Sequence, residues 1–282
     1  MITEYLIANT FEELLIHVEK CMKITKKGKN FPVLFRGHSD KDSLSYPLLP
    51  KIHRKEYSDK EKYRELHLAG SFYVKAKALM QNAPRSKDYL FWITRMQHYG
   101  LPTRLLDWTK SLLVALFFAV KNERKHGIDG CIWMLNPNAL NKKMKHYEGI
   151  FPMVSRDCQN YLVPAFHREP KFNLLTPSTK GGKEIENGID EYFEKKPVIA
   201  CWAEENDLRM MMQQSAFTIH ALPKSLEELI DDEDEILYKI IIPYKKKPTL
   251  LQQLEICGIS VIDVFPDIET LAKLLDKGFS FT

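Results

Sequence analysis

The stretch Gln97-His98-Tyr99-Gly100-Leu101-Pro102-Thr103-Arg104-Leu105-Leu106-Asp107-Trp108-Thr109, with the apolar run 112–120 behind it, decides the reading of this chain. Its first residues close a helix that starts after Pro84 and Ser86, because Gly100 and Pro102 stop helical propagation near Tyr99. The run 112–120 is apolar almost all round and predicts a helix central to the core, with a strand as the alternative on pattern alone. Between these elements lies the densest cluster of versatile polar side chains in the chain. Held near a core, such groups must hydrogen-bond to one another or to a ligand, so bracing and binding are both open. Arg104 and Asp107 stand close enough in sequence for a structural ion pair, and Asp107 is expected to brace the fold through it. His98 fits either a satisfied core position or a site.

Towards the N-terminus, Thr10 and Glu13 make a capping box for a helix over 10–22, of about three turns. A lysine-rich stretch, including Lys26, Lys27 and Lys29, leads to the apolar run 31–35, which ends in Arg36-Gly37-His38. This reads as a strand opening into a loop, with Gly37 relieving steric limits where the strand stops and Arg36 free to grip a phosphate or carboxylate through its planar fork. Ser58 and Glu61 are expected to cap a second helix whose buried stripe is Leu66, Ala69, Tyr73, Ala76 and Met80.

Towards the C-terminus, 131–135 predicts a strand. From 136 to 197 the pattern weakens, with Pro152, Pro164, Pro170, Pro177 and Gly181-Gly182 suggesting long connections. Strands are expected at 198–202, 216–220, 236–242 and 259–265. A short helix capped by Thr249 and Gln252 should end at Gly258, and a final helix should start at Pro266-Asp267. Arg209 and Gln213 share a helical face, and Gln213-Gln214-Ser215 feeds the strand 216–220. Glu204, Glu205 and Asp207, just upstream, offer a general base or a stabiliser of positive charge. Helix clusters with scattered strands, rather than a regular βαβ succession, indicate an α+β fold.

Composition removes whole classes. With 282 residues, 44% hydrophobic and 11% aromatic, the chain can build a core and is not intrinsically disordered. Its longest apolar run, 112–120, is far too short to span a bilayer. The five dispersed cysteines form no CxxC pair, which favours free thiols in a reducing cytosol over a disulfide framework or a cysteine-based zinc site. The opening MITEYLIANTFEELL has no secretory pattern, so a soluble cytoplasmic protein is expected. No GxGxxG, Walker, HExxH, GxSxG or zinc deaminase signature occurs. The net charge of +4 permits a nucleic-acid partner, most of all if the scattered basic residues, including Arg104 and Lys245 to Lys247, converge on one cleft.

Phe35-Arg36-Gly37, the run 97–109 followed by Ala115-Leu116-Phe117-Phe118-Ala119, and Arg209 with Gln213-Gln214 to Phe217 together resemble the FRG domain family, named for a phenylalanine-arginine-glycine motif. Gly258-Ile259 and Phe265-Pro266-Asp267 are similar to its closing segment, so the resemblance runs from about 31 to 275. It implies one domain over 1–282 with a variable insert at 137–197. The implied α+β fold has a split mixed or antiparallel β-sheet core with packed helices, like that of ADP-ribosyltransferases. The implied activity is transfer of ADP-ribose from NAD, as substrate and without a metal, to RNA, DNA or protein, by a toxin of a phage-defence or toxin–antitoxin system. An antitoxin or chaperone would be a protein partner, and no membrane is implied. The catalytic candidates are Arg36, His98, Asp107 and Gln213. The NAD-binding candidates are Arg36, Gly37, Gln97, Tyr99, Thr103, Arg104, Arg209 and Gln214. Neither a Ser-Thr-Ser element nor a Gln-x-Glu pair is present, so the catalytic acid is not assigned by the motif. A nuclease-like toxin using Arg36, His98 and Arg104 on phosphates, and a non-catalytic nucleotide-binding module, are the rival functions.

Overall fold

Among the described residues, eight short strands carry the architecture: β1 Leu6–Ile7, β2 Leu34–His38, β3 Leu105–Thr109, β4 Gly130–Leu135, β5 Phe151–Pro152, β6 Val198–Trp202, β7 Ser215–His220 and β8 Leu237–Ile242. The computed structural model describes residues 6–25, 32–42, 46–58, 64–80, 85, 88–121, 127–147, 149–166, 189–204, 207–231, 235–276 and 278. The strands form one mixed sheet in the order β1-β8-β4-β2-β3-β7-β6-β5. Neighbours are antiparallel except at the two edges, where β1 runs parallel to β8 and β5 to β6. The α+β class therefore stands.

The middle of the sheet is its weakest join. β4 pairs with β2 and β7 with β3 along the strands' whole length, whereas β2 meets β3 only at Phe35 and Thr109. Alternation along the strands sorts the apolar residues into layers. On one face, Leu34, Trp133, Leu106, Trp108, Ala200 and Ala216 belong to a single core that crosses the join. On the other face the core is in two parts. Phe35, Ile132 and Met134 pack under the helices Phe11–Thr25, Leu112–Val120 and Lys247–Ile256. Leu105, Ile199, Phe217 and Ile219 pack under the helices Tyr89–His98, Arg156–Leu162 and Leu208–Met212. A gap between the two parts follows from this division, directly over the seam.

Several elements differ from their sequence-based expectation. β2 continues through Arg36, Gly37 and His38, so Gly37 lies inside a strand. It serves close packing: a Cβ there would stand 1.8 Å from the Ala115 carbonyl oxygen. Gly130 faces the same helix, and its Cβ would come 2.5 Å from the Ala119 carbonyl. The apolar run 112–120 is the expected helix, started by Ser111, whose side chain accepts from the Val114 amide at 3.3 Å. The first helix, Phe11–Thr25, is longer than expected; Thr10 Oγ1 caps the Glu13 amide, while the Glu13 carboxylate reaches Asn9 rather than Thr10. The 259–265 segment is not a strand. Ser260 and Asp263 form a capping box, the Asp263 carboxylate accepting from the Ser260 amide, at the N-terminus of a short helix, Val261–Val264, which overrides the apolar alternation. The helix Lys247–Ile256 starts before Thr249, with Pro248 in its first turn, so Thr249 and Gln252 do not cap it. The Glu61 cap, Lys26 to Lys29 and residues 167–188 lie outside the described residues.

Candidate functional site

The gap over the seam is a cleft of about 240 Å³. Its walls come from both half-cores: Val114 and Phe118 from one side, and Thr94, Gln97, His98, Arg209, Met210 and Gln213 from the other. Phe35, Arg36, Gly37, Asp107, Trp108, Thr109, Ser215 and Phe217 of the strands make its floor.

Arg36 occupies the place where the β2–β3 ladder lapses. Its Nη1 donates to the Asp107 carbonyl, so a side chain supplies the cross-strand bond that the backbone does not. Its Nε donates to His38 Nε2 at 2.9 Å. His38 must accept there and is neutral, because burial, then the Arg36 charge, pushes its pKa well below the ordinary value. Burial also pulls the Arg36 pKa down, opposed by Asp107. The half-buried guanidinium still carries its charge. Its Nη2 makes no hydrogen bond among the described residues. The sequence suggested an arginine in an exposed loop; it is instead strapped into the sheet and lines the cleft from there.

Asp107 is positioned from two sides. Thr103 Oγ1 accepts from the Leu105 amide at 3.2 Å and donates to Gln97 Oε1 at 2.5 Å. That fixes the Gln97 amide so that its Nε2 donates to Asp107 Oδ2 at 2.9 Å. Arg36 Nη1 lies 3.8 Å from the same oxygen. The Asp107 side chain remains 56% exposed, and its Oδ1 has no partner among the described residues. The expected Asp107–Arg104 pair does not form. Arg104 is buried away from the cleft against Glu65, with Nη2 to Oε2 at 2.6 Å and its amide to Oε1 at 3.0 Å, and Nη1 donates to the Tyr161 carbonyl. Extended backbone explains the parting. The Arg104 carbonyl still accepts from His220 in the strand ladder, and an odd spacing along a strand turns two side chains to opposite faces. A phosphate-cleaving centre that needs Arg36, His98 and Arg104 together loses Arg104.

On the helical wall, Arg209 and Gln213 both face the cleft, as their spacing requires. The Arg209 guanidinium sits 4.8 Å over the Phe265 ring and forms no ion pair among the described residues. Gln213 Nε2 is held by the Val264 carbonyl at 3.0 Å. His98 Nδ1 stands 3.2 Å from Asp207 Oδ2.

Seven of the candidate residues thus converge: Arg36, Gly37, Gln97, His98, Asp107, Arg209 and Gln213. Four do not line the cleft. Tyr99 is 66% exposed and packs on His98 and Phe72, Thr103 is buried behind Gln97, Arg104 is buried with Glu65, and Gln214 is an exposed turn residue at φ 47°. Asp207, read from the sequence as one of three interchangeable acids, proves to be the one that holds His98. Phe118, Phe217 and Trp108 were not singled out as site residues; the pairing of strands brings Trp108 and Phe217 to the floor, and the helix over the seam brings Phe118 to the wall. Among the described residues, the arginines and lysines lining the cleft are Arg36 and Arg209, and Lys247 is buried on the Ser39 carbonyl. Among the described residues, no group of three or more His, Cys, Asp or Glu could hold a metal, and no helix is long and apolar enough to cross a membrane.

Residues 32–127, about a third of the chain, match the FRG domain family. The match takes in Phe35-Arg36-Gly37, the run 97–109 and the helix over the seam, and leaves Arg209, Gln213 and the closing segment outside it. No curated protein and no solved structure matches the chain.

Proposed function

We propose that the cleft binds NAD and transfers its ADP-ribose to an acceptor, the activity and ADP-ribosyltransferase-like topology that the FRG resemblance implies. The observation that carries this reading is the Asp107 carboxylate, 3.8 Å from Arg36 and open to the cleft on its second oxygen. Loss of nicotinamide leaves positive charge on the ribose, and a fixed carboxylate beside it lowers the barrier more than it helps substrate binding. Arg36 and Arg209 provide two guanidiniums for the diphosphate, a ligand that suits their planar forks. Phe118 and Phe217 give a flat ring apolar and aromatic surface. The cleft lies below the usual range for a whole drug-sized ligand, roughly 300 Å³ upward. It therefore suits the nicotinamide-ribose end, with the adenosine end lying outside.

The division of labour between Arg36 and Asp107 gives the test. Arg36→Ala should weaken NAD binding about tenfold or more in calorimetry, roughly 1.4 kcal/mol. Asp107→Asn should leave NAD affinity within about twofold yet slow nicotinamide release on the order of a hundredfold, about 2.7 kcal/mol of barrier. Labelled NAD offered with RNA, DNA and cell protein in separate reactions identifies the acceptor by where label settles. Unchanged NAD affinity in Arg36→Ala, or full turnover in Asp107→Asn, would sink the reading.

A further inference from the structure

Asp207 uses its two oxygens for different purposes. Oδ1 accepts from the Met210 amide at 2.8 Å and caps the helix Leu208–Met212. Oδ2 faces His98 Nδ1 at 3.2 Å, with Arg95 Nη1 at 3.8 Å. The carboxylate is therefore fixed by the backbone of one element before it touches the other, and its side chain is only 13% exposed. A carboxylate acceptor requires the proton on Nδ1, which leaves the lone pair of neutral His98 on Nε2. No hydrogen bond occupies Nε2 among the described residues, and His98 is the one histidine lining the cleft. The buried histidines are committed elsewhere: His220 uses both nitrogens, on Thr218 and Lys224, His146 uses Nε2 on the Tyr161 hydroxyl, and His38 accepts from Arg36.

We propose that His98 is the general base of the transfer, its Nε2 taking the proton of an uncharged hydroxyl acceptor while Asp207 and Arg95 position the ring. This rests on the NAD reading of the cleft. In the step, the acceptor oxygen forms a bond to ribose C1′ as the C1′–nitrogen bond to nicotinamide breaks. The bond's electron pair leaves with neutral nicotinamide, and the hydroxyl proton passes to Nε2, giving an imidazolium that Asp207 stabilises. A carboxylate or thiolate acceptor arrives without that proton and would need no base. The hydroxyl, which keeps its proton until attack, is the acceptor class we assign to this pair of residues. The groups acting on the ring are Asp207 and Arg209 from the segment packed against it and Arg95 from its own helix. Burial lowers the His98 pKa, opposed by Asp207 and reinforced by the two arginines, so the ring is neutral at pH 7.

The test measures nicotinamide release from NAD, with cell RNA, cell protein or methanol as the hydroxyl source, beside ¹⁵N NMR of the histidine rings. In the wild type the proton should sit on Nδ1 of His98, and kcat should fall as pH drops through the His98 pKa seen by NMR. His98→Ala should cut kcat about a hundredfold or more with KM for NAD nearly unchanged, and lose that acid limb. Asp207→Asn should shift the limb to lower pH, because it removes the charge that raises the pKa. Asp207→Ser, which keeps a helix-capping oxygen, should do the same and so separates positioning from folding. A proton on Nε2, or wild-type turnover in His98→Ala, would overturn the base while leaving the NAD reading intact. Failure of the wild type to release nicotinamide with any hydroxyl source would overturn the NAD reading, and the base with it.

Discussion

Arg104 shows how far a side chain's partner can lie from its neighbours in sequence. Its guanidinium and its amide both close on Glu65, a buried acid on the helix Arg64–Leu79. Breaking one side of such a pair strands a charge in the interior. Glu65→Gln keeps the shape and removes the charge, and should cost about 3 kcal/mol. Urea denaturation would register that as a clear fall in midpoint; an unaltered midpoint would show that water reaches the pair. The sequence pointed to Asp107, three residues away, as the partner because separation along the chain is all that a sequence displays. Glu65 was invisible by the same token, 39 positions upstream on an element whose exposed face it could equally have occupied. Arg36, Gln97 and His98 were legible for the opposite reason: polar groups crowded among apolar elements must answer to something, and the cleft is what they face.

Among the elements, the close approach of helix Leu112–Val120 to β2 and β4 sets the depth of the cleft. Gly37→Ala would drive a methyl carbon into the Ala115 carbonyl, a backbone atom that cannot rotate aside. The variant should lose about 3 kcal/mol or more, beyond the usual cost of an added methyl in a packed core. Thermal melting would show it as a lowered Tm, and a Tm within a degree of the parent would mean that the helix lifts without penalty. The helix itself was readable from its nine consecutive apolar residues. The glycine's purpose was not, because a glycine in a sequence announces freedom of the backbone more readily than want of space. The misread 259–265 segment has a related cause. Its apolar spacing suits a strand, but Ser260 and Asp263 satisfy helical amides locally.

At the scale of the molecule, buried neutral imidazoles tie stability to pH. Burial lowers the pKa of His220 to about 3 and that of His146 to about 4, and draws down His38 and His53 as well. The unfolded chain takes up these protons near pH 6.5, so between there and the folded values it binds more protons than the native state. Stability is therefore complete above about 6.5 and declines as the solution is acidified, by up to ~1.4 kcal/mol per pH unit for each histidine. Tm should be lower at pH 5 than at pH 7. A flat profile would mean that the histidines reach water. The α+β class was legible from mixed periodicities. The strand order, and with it the seam, was not, since no local pattern records which strands become neighbours.

That seam gives the sheet an uneven compliance. One residue pair and one arginine join its halves, while a shared apolar layer backs them on the face away from the cleft. Sliding would shear the backing and opening would not, so the soft deformation is a change in the angle between the two leaves. Phe35 and Thr109 act as the stitch of a spine, and the width of the cleft is the coordinate along which the structure yields with least resistance.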